Sequence, residues 1–474
     1  MLFRDGDRDT ICALSTAPGV GGIAVIRVSG EGSLRLTRKT CSFLPTSPES
    51  HRIYFGTLKT SEENEALDEV LVSFFQDGRS FTGEETCEIS CHGGGVVSTS
   101  ILKELVKLGC RLARPGEFTF RAFMNGRLDL VQAEGVLGLI ESQSRQAAKA
   151  SLRQLKGHLS HEFERIEDDL VWILAQLEAN IDFSSEISVD IESKVGQQSG
   201  DLLPTKQMFE RASRLNELVV LMIRNYESGR VLREGLQVAL VGRPNAGKSS
   251  LLNAFLREDR AIVTAEAGTT RDTIEGKLTF GGVPVTLVDT AGLRETQNEI
   301  EILGIQRSRL AMKNSDLVFN IIDLSSDDWL IEFNNLLVDS DINHHFIFNK
   351  VDLNLPPDRR VLSERAVSEA GVNAFWLSAL TRVGLASVES MLEKRIQTLS
   401  AETSNVVVQA RHLEQLCKIQ NCLTAAIDLI KSESSPEFIA FELQEAVHVI
   451  HELLGKEFNE QVIDRIFSEF CLGK

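Results

Sequence analysis

The run Val238-Ala-Leu-Val241, continuing into Gly242-Arg-Pro-Asn-Ala-Gly247-Lys248-Ser249-Ser250 and then Leu251-Leu-Asn-Ala-Phe255, decides the fold of the chain. Four apolar residues read as a buried strand, and the apolar stretch after Ser250 reads as a helix. The intervening glycines fit GxxxxGK[ST] in its strand–loop–helix setting. Such a loop wraps its backbone N–H groups around a β-phosphate, and the helix N-terminus adds positive potential. Asn245, Ala246, Gly247, Lys248, Ser249 and Ser250 are therefore candidate phosphate-site residues. Lys248 bridges the β- and γ-phosphates in this reading, and Ser249 binds Mg²⁺.

Three further motifs follow in chain order. Asp289-Thr-Ala-Gly292 comes after the apolar run Val285–Val288, where an aspartate holds Mg²⁺ through water and a glycine N–H senses the γ-phosphate. Asn349-Lys350-Val-Asp352 follows His345–Phe348 and offers a carboxylate that accepts from both N1–H and the 2-amino group of guanine. Adenine has no such donor pair. Ser378-Ala379-Leu380, after Phe375–Leu377, fits a loop whose backbone N–H meets guanine O6. The order of the motifs implies GTP as the nucleotide. Thr269 and Thr270 lie between the phosphate loop and Asp289, where a switch segment delivers a hydroxyl to Mg²⁺; Thr270 is the candidate ligand, and a strand start is the alternative. Leu293 follows Gly292, so the glutamine that orients water in many GTPases is missing. Glu301 is the candidate orienting carboxylate, with a solvated helix-start acid as the alternative.

Outside this segment the patterns differ. Residues 1 to about 120 alternate short β-rich runs (Ile23–Val28, Val70–Phe75, Thr86–Ser90) with glycine turns, as in an α+β domain. From Glu117 the spacing becomes helical. Leu152, Leu155, Leu159, Phe163, Ile166, Leu170, Ile173 and Leu177 predict one long amphipathic helix. A second helical stretch runs from about Lys206 to Leu232. Residues 407–470 return to helical spacing, including Phe438, Phe441, Leu443, Val447, Ile450 and Leu453. The expected organisation is multidomain: an α+β domain (1–120), a discontinuous α-helical domain (121–235 and 399–474), and an inserted α/β P-loop GTPase domain (236–398). Its 474 residues give about three domains at ~150 residues each.

Lys and Arg number 50 against 68 Asp and Glu, a net charge of −18 that opposes nonspecific adhesion to nucleic acid or anionic membrane. Any RNA partner must be met through a local patch or a second protein. Ten acidic and two basic residues fall between Glu162 and Lys194, which reads as a solvated face. The eight cysteines form no CxxC pair and read as reduced thiols, and no stretch reads as a signal peptide or a membrane span. A cytoplasmic location is expected. Cys87, Cys91 and His92 have irregular spacing for a metal site, and His448 with His451 reads as a helix surface.

Taken together, the motifs resemble the MnmE/TrmE family, GTPases that modify the wobble uridine of certain tRNAs. The resemblance spans nearly the whole chain and rests on Ala17–Gly30 (APGVGGIAVIRVSG), Ala113–Glu134 (ARPGEFTFRAFMNGRLDLVQAE), GRPNAGKSSLLNA, AGTTRD, DTAGLRET and the terminal Cys471-Leu-Gly-Lys474. It implies a folate-binding N-terminal domain that forms a homodimer, a helical domain carrying the C-terminal cysteine, and K⁺-dependent pairing of two guanine-nucleotide domains. Carried over by position, Asn245, Thr264, Glu266 and Thr269 supply oxygens to K⁺, Thr264 and Thr269 join the GTP site, and Glu301 matches the catalytic glutamate. Arg27, Glu88, Arg127 and Lys474 match the site for a tetrahydrofolate derivative. Arg127 stands where lysine is commoner, Val20 where a charge is frequent, and Leu472 where isoleucine is usual.

The resemblance further implies a flavin- and NADH-dependent partner protein and an aminomethyl or carboxymethylaminomethyl group placed on C5 of the wobble uridine. Cys471 would face the folate as nucleophile, proton donor or neighbour; a buried terminal anchor is the structural alternative. A rival function is a regulatory GTPase switch in ribosome or RNA assembly without covalent chemistry. A membrane-remodelling GTPase is disfavoured by the lack of a basic or apolar membrane surface.

Overall fold

The computed structural model describes residues 9–187, 202–256, 274–289, 315–338, 343–353, 355–401, 409–457 and 460–473. The chain divides into two compact units. One comprises Met1–Ile140, Ser151–Glu217 and Cys417–Lys474, the other Glu141–Ala150 and Leu218–Leu416.

The N-terminal segment supplies β1 (Ile11–Leu14), β2 (Ile23–Ser29), α1 (Ser33–Thr40), β3 (Arg52–Lys59), β4 (Ala66–Phe75), β5 (Thr86–His92), α2 (Gly95–Lys107) and β6 (Arg111–Leu112). They form a six-stranded sheet in the order β3-β4-β5-β2-β1-β6. All neighbours are antiparallel except β1 and β6. The period of two along each strand sorts the side chains. Val70 and Val72, Ile26 and Val28, Cys87 and Ile89 all point to one face, where they bury against Leu36 of α1 and Ile101 and Leu105 of α2. Each buried aliphatic side chain contributes about 1.5–3 kcal/mol. The opposite face holds Arg27 and Glu88 and is covered near β1 by Phe118, which clusters with Ile11 and Ala13. Farther along the same face Ile53, Phe55 and Leu71 stay exposed.

Helices α3 (Glu117–Met124), α4 (Leu130–Glu141), α5 (Arg145–Leu155), α6 (His158–Ile187), α7 (Leu202–Arg224) and α8 (Tyr226–Glu234) follow. The single helix expected over Leu152–Leu177 is two helices. Gly157 breaks it at φ +81. The cause lies on α4: Gln132 Nε2 donates to the Leu155 carbonyl at 3.1 Å, and Gln154 Nε2 donates to the Val131 carbonyl at 2.8 Å. Gly135 and Gly138 let the two backbones meet, since a Cβ on Gly135 would lie 2.7 Å from Leu155 N. Beyond the break, α6 buries Phe163, Ile166, Leu170, Ile173 and Leu177, the stripe read from the sequence.

In the second unit β7 (Leu236–Val241), α9 (Lys248–Leu256), β8 (Ile274–Phe280), β9 (Val283–Asp289), β10 (Leu317–Asp323), α10 (Trp329–Val338), β11 (His344–Asn349), α11 (Arg359–Ala370), β12 (Asn373–Trp376) and α12 (Leu385–Ala401) form an α/β layer. Its sheet runs β12-β11-β10-β7-β9-β8, parallel but for the β8–β9 edge pair. Every residue from Leu317 to Ile322 of β10 is buried, as a parallel strand covered on both faces requires. The strand order reverses at β7, so a crevice opens at the carboxyl ends of β7 and β10.

The chain closes with α13 (Ala410–Lys431), α14 (Pro436–Leu454) and α15 (Glu460–Ser468). α14 packs along α6, burying Leu443, Ile450 and Leu453, while Phe438 and Phe441 remain exposed. Part of the acidic run on α6 is paired rather than merely solvated. Glu167 accepts from His451 Nε2 at 3.0 Å and from Lys456 at 2.6 Å, and Asp169 accepts from Arg211 Nε at 2.6 Å. His448 also pairs with Glu457, so the two histidines share a carboxylate. α15 returns to α3, where Phe467 meets Phe120 edge to face. Gly116, at φ +71, lets the Phe467 carbonyl approach to within 2.4 Å of where a Cβ would stand. No described helix is long and apolar enough to cross a membrane.

Candidate functional site

The crevice at the end of β7 is a cavity of about 920 Å³. Its walls bring together Asn245, Gly247, Lys248, Ser249 and Ser250 from the glycine loop, Asn349, Lys350 and Asp352 from the end of β11, and Ser378, Ala379 and Leu380 from the loop after β12. These segments lie far apart in sequence and converge only because β7, β10, β11 and β12 are successive parallel neighbours.

Local geometry explains the loop composition. A Cβ on Gly242 would stand 2.2 Å from the Ile321 carbonyl, and one on Gly247, at φ +102, would stand 2.1 Å from Asn349 Nδ2. Asn245 adopts φ +65, which asparagine tolerates better than most side chains. Lys248 is buried, and its ammonium donates to the Gly242 and Arg243 carbonyls at 2.6 and 2.8 Å. It thus folds back over the loop that an anion would fill.

Asn349 acts as a strut. Its Nδ2 donates to the Ala246 carbonyl at 2.9 Å, and its Oδ1 accepts from Ala379 N–H at 3.0 Å. One side chain thereby ties the glycine loop to the Ser378–Leu380 loop. That leaves Asp352, exposed on the cavity wall, as the carboxylate available to read a base. Ser378 is buried, and its hydroxyl accepts from Thr381 N–H at 3.0 Å, holding the Ser378–Leu380 backbone in its turn.

Two acidic residues of this site escaped the sequence reading. Lys350, in a left-handed conformation at φ +67, donates to Asp323 Oδ2 at 2.6 Å. Burial pushes the Asp323 carboxyl up, but hydrogen bonds from Lys350 and Ser325 outweigh it and hold the group below the ordinary carboxylate range. Glu332 on α10 is buried and accepts from Arg243 N–H at 3.2 Å, beneath the glycine loop; desolvation raises its pKa. The only local signal was that Asp323 ends an apolar strand as Asp289 does. Glu332 had none.

Asp289 closes β9, its backbone opposite Leu240 one strand from the glycine loop. Thr264, Glu266, Thr269, Thr270, Gly292, Glu301 and Lys474 lie outside the described residues.

A second constellation lies in the other unit. Arg27 and Glu88 are register partners on β2 and β5, bonded through Nε at 2.9 Å and Nη2 at 2.8 Å to the same Oε1. The Arg27 guanidinium sits 5.4 Å from the ring centroids of both Phe81 and Phe118. Arg127 packs its stem against Gly83, in the loop that carries Phe81. Glu84 of that loop accepts from buried Arg121 at 3.1 Å and from Ser29 Oγ at 2.8 Å.

The C-terminal tail reaches the same sheet: a Cβ on Gly473, at φ +89, would stand 2.0 Å from the Leu14 carbonyl. Leu14 ends the strand whose Ala13 is the register partner of Arg27. Cys471, two residues before that contact, is an exposed free thiol, against its reading as a buried anchor. The anchor is the glycine. Cys87 and Cys91 are buried and His92 bonds Asp68; among the described residues no group of three or more His, Cys, Asp or Glu side chains is placed to hold a metal ion.

The family model for the GTP-binding protein TrmE N-terminus matches residues 10–127, and that for the MnmE helical domain matches residues 130–471. The tRNA modification GTPase MnmE of Bdellovibrio bacteriovorus is 46% identical over 488 residues, covering 100% of this chain and 99% of that protein. The protein of the same name from Natranaerobius thermophilus is 39% identical over 472 residues, covering 98% and 99%. Among solved structures, the G domain of the T. maritima FeoB iron transporter is 23% identical, covers 35% of this chain and 98% of its own, and has a TM-score of 0.26. Matched along its whole length by such relatives, the chain belongs to the MnmE family of tRNA modification GTPases.

Proposed function

We propose that the chain is a K⁺-stimulated GTPase that acts with a flavin- and NADH-dependent partner protein to place an aminomethyl or carboxymethylaminomethyl group on C5 of the wobble uridine of certain tRNAs. The observation that carries the two-site reading is the tail contact. Gly473 seats on Leu14, at the end of the strand whose Ala13 is the register partner of Arg27, and two residues before it the Cys471 thiol is exposed. An exposed thiol on a tail seated against this sheet is a group that nucleotide hydrolysis does not need.

In the nucleotide site Asp352 accepts from guanine, and Lys248 exchanges its two loop carbonyls for phosphate oxygens. Ser249 and Thr270 would hold Mg²⁺. Asn245, exposed on the cavity wall, offers its amide oxygen to K⁺ together with Thr264, Glu266 and Thr269. That oxygen-only donor set suits a hard monovalent cation, which when bound supplies positive charge at the β–γ bridge. Glu301 orients the attacking water.

In the second site Glu88 is suited to the amide and amino edge of a pterin, and Arg27, Arg127 and Lys474 to carboxylates; a bound tetrahydrofolate derivative supplies the one-carbon unit. The bare half of that sheet face, with Ile53 and Phe55 on edge strand β3 beside Leu71, supports homodimerisation through the N-terminal domain. A second copy there would also shelter the Arg27–Glu88 pair. The cytoplasm is the compartment in which eight free cysteines stay reduced.

GTP turnover should rise about tenfold or more in K⁺ over Na⁺, and with protein concentration, as a barrier change of about 1.4 kcal/mol implies. Asn245→Ala should lose most of the K⁺ effect and still bind GDP. Wild-type turnover indifferent to the cation contradicts the proposal.

A further inference from the structure

The twenty residues Ser142–His161 contain Arg145, Lys149, Arg153, Lys156 and two histidines, and no aspartate or glutamate, within a chain of net charge −18. The stretch spans α5 and its two flanks. At 100° per residue, Arg145, Lys149, Leu152 and Lys156 fall within about 60° of one another, while Ala147, Ser151 and Gln154 fall on the opposite side. Burial follows that division. Ala147, Ser151 and Gln154 are buried, whereas Arg145, Lys149, Leu152 and Lys156 are exposed.

The contacts at the end of α5 agree. Gln154 is spent on the Val131 carbonyl, and Ser151 faces Gly138 of α4. Arg145, Lys149 and Lys156 have no ion-pair partner among the described residues. Every residue invoked lies on or directly after one helix, so helical geometry alone spaces the cations over about 17 Å.

We propose that this face of α5 is a docking surface for the phosphate backbone of tRNA. The inference rests on the tRNA-modification reading and adds to it where the RNA is held. A duplex carries one negative charge per about 1.7 Å, so a ridge of unpaired cations on an otherwise acidic protein is the electrostatic complement it needs. A protein partner would call for buried aromatic or aliphatic anchors at the centre of the interface, and this face offers Leu152 alone. Contacts of this type set position and carry no base sequence, so wobble-base selection lies elsewhere.

The test uses the full-length protein with Arg145→Gln, Lys149→Gln and Lys156→Gln combined, three exposed changes to a good helix former. Binding to unmodified tRNA is measured against NaCl concentration, alongside GTP turnover. The expected result is about tenfold or greater loss of affinity, a log–log salt slope shallower by about 2, and turnover within about twofold of wild type. A charge-keeping set, Arg145→Lys, Lys149→Arg and Lys156→Arg, should bind as wild type does. Unchanged affinity and slope in the glutamine set would overturn the proposal and leave the enzyme's function intact. Failure of the wild type to bind tRNA would overturn both. Equal binding of polyglutamate, lost in the same variant, would assign the face to an acidic protein and overturn it as well.

Discussion

Asp352→Asn is expected to weaken GTP binding by about 3 kcal/mol or more, over a hundredfold in affinity, and to turn the preference toward xanthosine triphosphate. The carboxylate would accept two hydrogen bonds from the N1–H and 2-amino edge of guanine. An amide sets a donor against one of those donors, whereas xanthine presents a C2 carbonyl that the amide can meet. Asn349 is committed to Ala246 and Ala379, and Lys350 to Asp323, so neither can take over the carboxylate's part. Nucleotide affinities of the variant for the two triphosphates check this. Full retention of GTP affinity contradicts the assignment of the base site.

Cys471→Ser is expected to abolish tRNA modification while leaving K⁺-stimulated GTP hydrolysis within about twofold, a barrier change of only ~0.4 kcal/mol. The thiol is exposed, so exchanging sulfur for oxygen removes no core packing, and stability should move by no more than about 0.5 kcal/mol. The tail is held instead by Gly473 against Leu14, which the substitution leaves in place. A serine is a far weaker nucleophile and acid than a thiol at neutral pH. Glu301→Ala should instead block hydrolysis while GTP still binds, and modification should fall with it if turnover drives the chemistry. Parallel assays of turnover, modified nucleoside and thermal melting separate the cases. Loss of both activities with a lowered melting temperature in Cys471→Ser would make the residue structural, and normal modification by a stable variant would remove it from the chemistry.

The residues that line the candidate nucleotide cavity were legible because their motifs are local. A strand, a glycine loop and a helix start occupy contiguous residues, and the base-reading motifs each follow an apolar strand. The strut made by Asn349 is the step beyond that reading, since it depends on strand order. Asp323 and Glu332 were invisible for the same reason: a carboxylate that pairs with Lys350 or braces Arg243 across the fold has no period and no fixed spacing.

The break at Gly157 was hidden because the apolar stripe keeps gaps of three and four straight through it. Its cause, Gln132 on α4, is a tertiary contact. Phe438 and Phe441 continue the helical spacing of α14 yet face solvent, because periodicity marks a stripe and not the element that covers it. The seating of the tail against β1 joins the two ends of the chain, and only the folded arrangement brings Gly473 to Leu14.

The account stands most directly on the nucleosides of the cell's own tRNA. In cells lacking this protein, mass analysis of digested tRNA should show C5-unsubstituted wobble uridines in place of the aminomethyl-type forms. Expression of the wild-type chain should restore them, and Cys471→Ser should not. Wobble uridines identical with and without the protein would contradict the account and leave a GTPase switch with no covalent chemistry of its own.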